Sequence, residues 1–252
     1  MVRGLYTAAT GMMVQRDKMD TLTNNIVNAE TTGFKKDTLV TSTFDQVMLE
    51  RIHDPGVTVF GARVGAYSYG THADELITDF AQGSLEETGK STDLALAGEG
   101  FFAVETGEGE RYTRDGNFTV NRGGYLTTQD GNYVLGENGR IYVGTQDFTV
   151  TADGSVTGPA ANADTLRLVT FAEQGQLRKQ GDNLYYPYGG AAAEDAQGTA
   201  VLQGSLEGSN VDAADEMVNM LTVYRKYEAS QKIVDMTDDT MGMAVNLGKV
   251  GG

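Results

Sequence analysis

The sequence predicts an α+β fold: long N- and C-terminal heptad helices forming a coiled-coil-type axial domain, with an inserted β-rich domain of short strands and hairpins. Three observations predict it. Apolar residues recur at seven-residue spacing near the start of the chain, and they do so again near its end; such a repeat favours a seam against another helix. Between these stretches the pattern breaks into short apolar runs separated by Asp-Gly and Asn-Gly dipeptides, the signature of strands joined by tight turns.

The first helix is expected over residues 4–28, with Leu5, Met12, Met19 and Ile26 on one row, Ala8 and Leu22 between them, and Gln15 as a polar interruption. At about 1.5 Å per residue it would be roughly 37 Å long. Gly33 can adopt the left-handed conformation that ends helices, so it is the expected stop. Asn24, Asn25 and Asn28 fall on the polar side and the end of this helix. There they are either solvated or, in an assembled tube, hydrogen-bonded between neighbours to fix register. Residues 34–75 show no clear period and read as an extended connector with some strand, closing a first segment at 1–75.

Residues 76–205 read as the β-rich domain, with strands expected at 93–97, 101–105, 118–120, 133–135, 141–143, 148–151, 166–171 and 184–186. Asp115-Gly116, Asp130-Gly131, Asn138-Gly139 and Asp153-Gly154 are read as hairpin turns, because both residues of each pair tolerate positive φ. Gly98-Glu99-Gly100-Phe101-Phe102-Ala103 has the spacing of a dinucleotide-binding loop. That loop needs a helix after it, and here an apolar strand follows, so a tight turn is the reading. Asp115-Gly116-Asn117 and Asp130-Gly131-Asn132 could open a calcium loop, but Phe118 and Tyr133 follow where more oxygen ligands are needed.

Residues 206–252 carry the second helix, expected over 210–247 and packing with the first. Ala213, Met220, Tyr227, Val234 and Met241 recur every seven residues; Met217, Tyr224 and Val245 lie on the adjoining row, which Gln231 and Asp238 interrupt. Asn210 or Asp212 can cap its start, Asp215 and Glu216 suit its first turn, and Gly248 marks its expected end. Two helices make a thin core and leave apolar surface that further copies of the chain could cover. A heterologous contact that does not close builds a helical filament. Methionines concentrate in both helices, and methionine suits interfaces where identical surfaces meet in slightly different settings. The candidate polymerisation interface is therefore Leu5, Met12, Met19, Ile26, Asn24, Asn25, Asn28, Met217, Met220, Tyr224, Tyr227, Val234 and Met241.

Composition narrows the function classes. A net charge of −16 argues against nucleic acid, whose phosphates need a basic surface. Residues 76–205 hold 8 basic and 18 acidic groups, so the middle suits solvent and the more neutral ends suit dense packing. Without cysteine there is no disulfide and no thiolate metal site. His53 and His72, the two histidines, read as surface residues rather than a metal or catalytic pair, and neither a cofactor nor a catalytic residue is expected. A wall-cutting hydrolase would require two carboxylates facing each other across a groove. No run of about 18 apolar residues crosses a bilayer. The start of the chain shows no apolar stretch of signal-peptide length behind a basic beginning.

Gly4-Leu5-Tyr6-Thr7-Ala8-Ala9-Thr10-Gly11-Met12 and Asn24-Asn25-Ile26-Val27-Asn28-Ala29-Glu30-Thr31-Thr32-Gly33-Phe34-Lys35 resemble the amino-terminal signature of bacterial flagellar rod and hook proteins, with Val27 where that family usually has Ala. Further matches follow in the family's order. They are Phe80-Ala81-Gln82-Gly83-Ser84-Leu85, Tyr112-Thr113-Arg114-Asp115-Gly116-Asn117-Phe118, and Leu206-Glu207-Gly208-Ser209-Asn210-Val211-Asp212 with Tyr227-Glu228-Ala229. The resemblance implies a structural subunit of the basal-body rod that polymerises helically and transmits torque from motor to hook. It implies terminal helices in an inner tube, a β domain in an outer layer, and partners that are copies of itself and other rod or hook proteins. It also implies export through the flagellar type III apparatus without a cleaved signal, to a site outside the cytoplasm. A hook or adaptor subunit of the same axial family is the alternative.

Overall fold

The computed structural model describes residues 2–51, 62–196 and 198–250. The chain divides into two units. The first holds helix α1 (Val2–Val27, up to Ile26), strands β1 (Asp37–Thr43), β2 (Val47–Arg51), β3 (Ala62–Tyr67) and β4 (Thr71–Thr78, up to Ile77), and helix α2 (Ala213–Val250). The second is β-rich and consists of Val27–Lys36 and Thr78–Asp212.

Both helices form where the heptads lie. α1 ends at Val27, and Gly33 is not its stop. Gly33 does have a left-handed φ of 66°, but the reason is close approach: a β-carbon there would lie 2.4 Å from the Asp115 amide nitrogen. α2 runs through Gly248 to Val250, since a glycine inside a helix costs only about 1 kcal/mol and does not by itself end one. Asp215 and Glu216 occupy its first turn, as expected, and Asp212 immediately precedes it. Asn210 is not a cap, because its side chain bonds the Lys36 amide and the Asp79 and Ala81 carbonyls.

The stretch read as a connector is more ordered than its composition suggests. β1 pairs with β4, and β2 pairs antiparallel with β3, with Val47 opposite Tyr67. Here the pairing comes from backbone hydrogen bonds, which leave no apolar period to read. His72, on β4, is half-buried rather than on the surface: its Nε2 lies 3.0 Å from the Ser42 hydroxyl and its ring stacks on Phe44 at 4.9 Å. His53 lies outside the described residues.

In the β-rich unit the Phe101–Thr106 strand is central. It pairs along one edge with Gly109–Thr113, and along the other with Tyr133–Gly136 and Leu168–Thr170. Successive side chains of a strand point to opposite faces. Phe102 and Val104 therefore enter one apolar cluster, with Leu94, Phe118, Leu126 and Ile141, and Phe101 and Ala103 enter another, with Tyr112, Phe171 and Tyr185. Residues 101–104 are buried on both faces, which is why they read as one continuous apolar run.

Three of the four expected turns join paired strands: Asp130-Gly131, Asn138-Gly139 and Asp153-Gly154, each with glycine at positive φ. Asp115-Gly116 does not. The strands on either side of it, Gly109–Thr113 and Thr119–Val120, pair elsewhere, and Gly116 accepts the Leu94 amide at 3.0 Å. The Gly98-Glu99-Gly100 segment is a turn leading into the Phe101–Thr106 strand, with no helix after it. Residues 141–143, expected as a strand, make only an isolated bridge through Tyr142.

Two outcomes are expected. A β-carbon at Gly116 would lie 1.5 Å from the Leu94 carbonyl oxygen, whereas one at Gly131 meets nothing within 4 Å and suffers only its positive φ. Denaturant melts should therefore show Gly131→Ala losing about 1–2 kcal/mol, with Gly116→Ala losing far more or not folding. The second concerns Tyr112, whose hydroxyl donates to Glu110 Oε1 at 3.1 Å. Burial, then the Glu110 charge, pushes its phenol up to about 12 from 10.0. A folded pKa above the unfolded one gives stability that is complete below about pH 10 and is lost as pH rises toward 12. Absorbance at alkaline pH should show a tyrosine ionising well above pH 10, with stability falling across the same window.

Candidate assembly surface

In the first unit α1 and α2 approach each other at two points. A β-carbon placed on Gly11 would lie 3.8 Å from Ser230 Oγ, and Asn25 Nδ2 lies 3.3 Å from Glu216 Oε2. Going 14 residues forward along α1 goes 14 back along α2, so the helices run antiparallel.

α2 is covered along one stripe. Ala213, Glu216, Met220, Val223, Tyr227, Ser230, Val234, Thr237 and Met241 are buried or half-buried, and every other residue from 214 to 246 is exposed. The steps of three and four are those of a heptad seam. The row of Met220, Tyr227, Val234 and Met241 is thus the covered one, as its spacing suggested. Glu216, Val223, Ser230 and Thr237 complete the covered stripe, while on the adjoining apolar row Met217 is 53% exposed, Tyr224 50% and Val245 also exposed. The outer face carries apolar residues absent from the candidate interface, among them Val218, Leu221 at 60% exposure and Met236 at 68%. The three-residue step from Val218 to Leu221 was the available signal.

α1 is more enclosed than α2. Leu5, Met12, Met19 and Ile26 are half-buried, and Ala8, Thr10 and Val14 are buried. Thr10 packs against Gly70, and the Thr7 hydroxyl lies 3.3 Å from the Tyr69 carbonyl, so a second side of the helix meets the chain leading into β4. The three asparagines separate. Asn24 is exposed and Asn28 half-buried, whereas Asn25 is fully enclosed. Its side-chain amide donates to the Asp37 carbonyl at 2.8 Å, and its oxygen accepts the Asp37 amide at 3.0 Å. With Glu216 as third partner, Asn25 ties the end of α1 to the start of β1 and the first turn of α2.

Among the described residues no group of three or more acidic or histidine side chains is placed to hold a metal ion. A cavity of about 520 Å³ in the β-rich unit is lined by Glu137, Asp153, Arg167 and Asp195, among others. The hydroxyls of Thr151 and then Ser155 hold the Asp153 carboxyl below its ordinary range, the opposite of what a general acid needs. No described helix is long and apolar enough to cross a membrane.

Three stretches match known families: residues 5–35 match "Flagella basal body rod protein", 95–158 "Flagellar hook protein FlgE/F/G D1 domain", and 202–247 "Flagellar basal body rod FlgEFG protein C-terminal". Similar whole proteins include the flagellar basal-body rod protein FlgG of Bacillus subtilis, 34% identical over 98% of this chain and 99% of that protein. The basal-body rod protein FlgF of Caulobacter vibrioides is 35% identical over 99% of this chain and all of its own length. The flagellar hook-basal body complex protein FlhO of Bacillus subtilis is 30% identical over the same shares.

Replacing Asn25 by Ala would remove its enclosed hydrogen bonds to the Asp37 amide and carbonyl. We expect a loss of about 1–3 kcal/mol, since a typical hydrogen bond contributes about 0.5–1.5. Thermal or urea unfolding measures it, and a loss near zero would mean water replaces the side chain.

Proposed function

The chain belongs to the flagellar basal-body rod protein family and is a structural subunit of the rod; from that premise we propose that it assembles through the uncovered face of α2. The observation that supports this is the single covered stripe. The partner within the chain shields one side of α2 and leaves Met217, Val218, Leu221, Tyr224 and Met236 in contact with solvent. Exposed apolar surface of this kind marks interaction sites. In this reading Met217 and Tyr224 meet neighbouring subunits directly. Leu5, Met12, Met19, Ile26, Met220, Tyr227, Val234 and Met241 hold the helix pair that presents them, and the outer parts of that row join the contact. Asn24 and Asn28 border it, and Asn25 keeps the pair in register.

At the observed register Val2 stands opposite Asp239, so α2 from Thr240 onward extends past the start of α1. Met243 and Val245 are exposed on that extension. A surface that meets a different surface on the next copy adds subunits without closing, which builds a helical polymer. Copies of the chain and other rod or hook proteins are the partners. A coiled-coil tube of such helices would carry torque from motor to hook. Delivery by the type III export apparatus, without a cleaved signal, to a site outside the cytoplasm completes the reading.

Leu221→Glu tests it, because glutamate keeps helix propensity and removes only the apolar contact. The monomer should keep its stability to within about 0.5 kcal/mol, as surface changes do. The variant should be exported normally, fail to enter basal bodies, and abolish swimming. Export is measured separately. Incorporation at the wild-type level would show that assembly uses another face.

A further inference from the structure

Residues 28–36 follow α1 directly, and with Val27 they belong to the β-rich unit, where residues 32–36 are held as a strap. The Thr32 hydroxyl donates to Asp115 Oδ1 at 2.7 Å, and the Thr32 carbonyl accepts from Asn183 Nδ2 at 3.1 Å. The Lys35 carbonyl accepts from Lys179 Nζ at 2.6 Å, and the same ammonium sits 4.1 Å from the centre of the Phe34 ring. The Lys36 amide donates to Asn210 Oδ1, and its carbonyl accepts the Asp79 amide, both at 2.8 Å.

Glu207 stands at the centre of these contacts. Its backbone carbonyl accepts the Gly33 amide at 2.7 Å. Its Oε1 accepts Lys35 Nζ at 2.5 Å and the Gly83 amide at 3.0 Å, and its Oε2 accepts Arg114 Nη1 at 3.2 Å. The Lys35 and Glu207 side chains are fully enclosed, and Arg114 nearly so. One carboxylate therefore serves two buried cations.

Two features make docking of the strap conditional. Glu207 follows Lys35 by 172 residues, and it reaches the strap on the short Ser205–Glu207 strand, which pairs with Leu85–Glu87. The strap's main partner is thus supplied by the far end of the unit. The second feature is charge. Burial is the largest influence on Lys35 and Arg114 and holds both below their ordinary ranges, while Glu207 opposes it. Breaking a buried ion pair by removing one partner is far more damaging than the pair is stabilising. Without Glu207 the two cations lose the carboxylate that lies between them.

We infer that residues 32–36 form a latch closed by Glu207: they dock only when the carboxylate from the far end of the unit is in place, and stay undocked in a chain that has not yet supplied it. This holds whatever surface the assembled protein uses. Amide hydrogen exchange on the full-length monomer tests it, comparing wild type with Glu207→Gln and with Lys35→Met. In both variants the amides of residues 32–36 should exchange at least tenfold faster, while those of residues 101–104 keep their wild-type rates. Unchanged exchange in the strap would overturn the latch. So would equal acceleration in both stretches, which would make Glu207 an ordinary core group. Should Glu207→Gln fail to fold, Lys35→Met decides alone: it leaves Glu207 paired with Arg114, and acceleration confined to the strap is required.

Discussion

α2 is 38 residues long, about 57 Å at 1.5 Å per residue, and only one stripe of it is covered by the rest of the chain. Helices draw most of their stability from packing an apolar face, so the narrow stripe of α2 that is covered is the constraint on which the first unit depends. α1 comes near that stripe where Gly11 faces Ser230. The rest of α2, with Met217, Leu221 and Met236 on it, is exposed.

The second dependence is polar. The chain leaves the first unit after Ile26 and returns at Asp37, and Asn25 bonds both the amide and the carbonyl of Asp37. An asparagine side chain offers one donor group and one acceptor, as a peptide group does, so it closes the base of the excursion as a strand partner would. The strap between these points is enclosed around Lys35, Glu207 and Arg114. Apolar packing thus builds the two-sided β core, while enclosed polar groups fix the strap within its own unit and Asn25 against Asp37.

Much of this was legible. Seven-residue spacing located both helices and identified Met220, Tyr227, Val234 and Met241 as one row, because the covered side of a helix repeats with its turn. Continuous apolar character over residues 101–104 marked a strand buried on both faces. Three of four turn dipeptides lay where positive φ was needed. The second row of α2 was not legible, since its members are Glu216, Val223, Ser230 and Thr237, and only one of these is apolar. β1 to β4 fall mostly in the stretch read as a connector with some strand, and their bounds were not legible because two-stranded ribbons leave no strict alternation to read. Asn25 read as either solvated or hydrogen-bonded between neighbouring subunits, and nothing in its own neighbours announced that Asp37 would lie beside it.

By itself the sequence determined what is periodic or local: two helices with seven-residue apolar spacing, a β-rich middle, three of the turns that glycine permits, and an acidic composition. These follow from spacings of a few residues, over which the backbone geometry of helix and strand is the same in any fold. The tertiary structure decided which residues separated by more than a hundred positions would meet. Glu207 reaches Lys35 across 172 residues and Glu216 reaches Asn25 across 191. Whether a charge or an amide is enclosed depends on what the fold brings against it, and no local pattern carries that information.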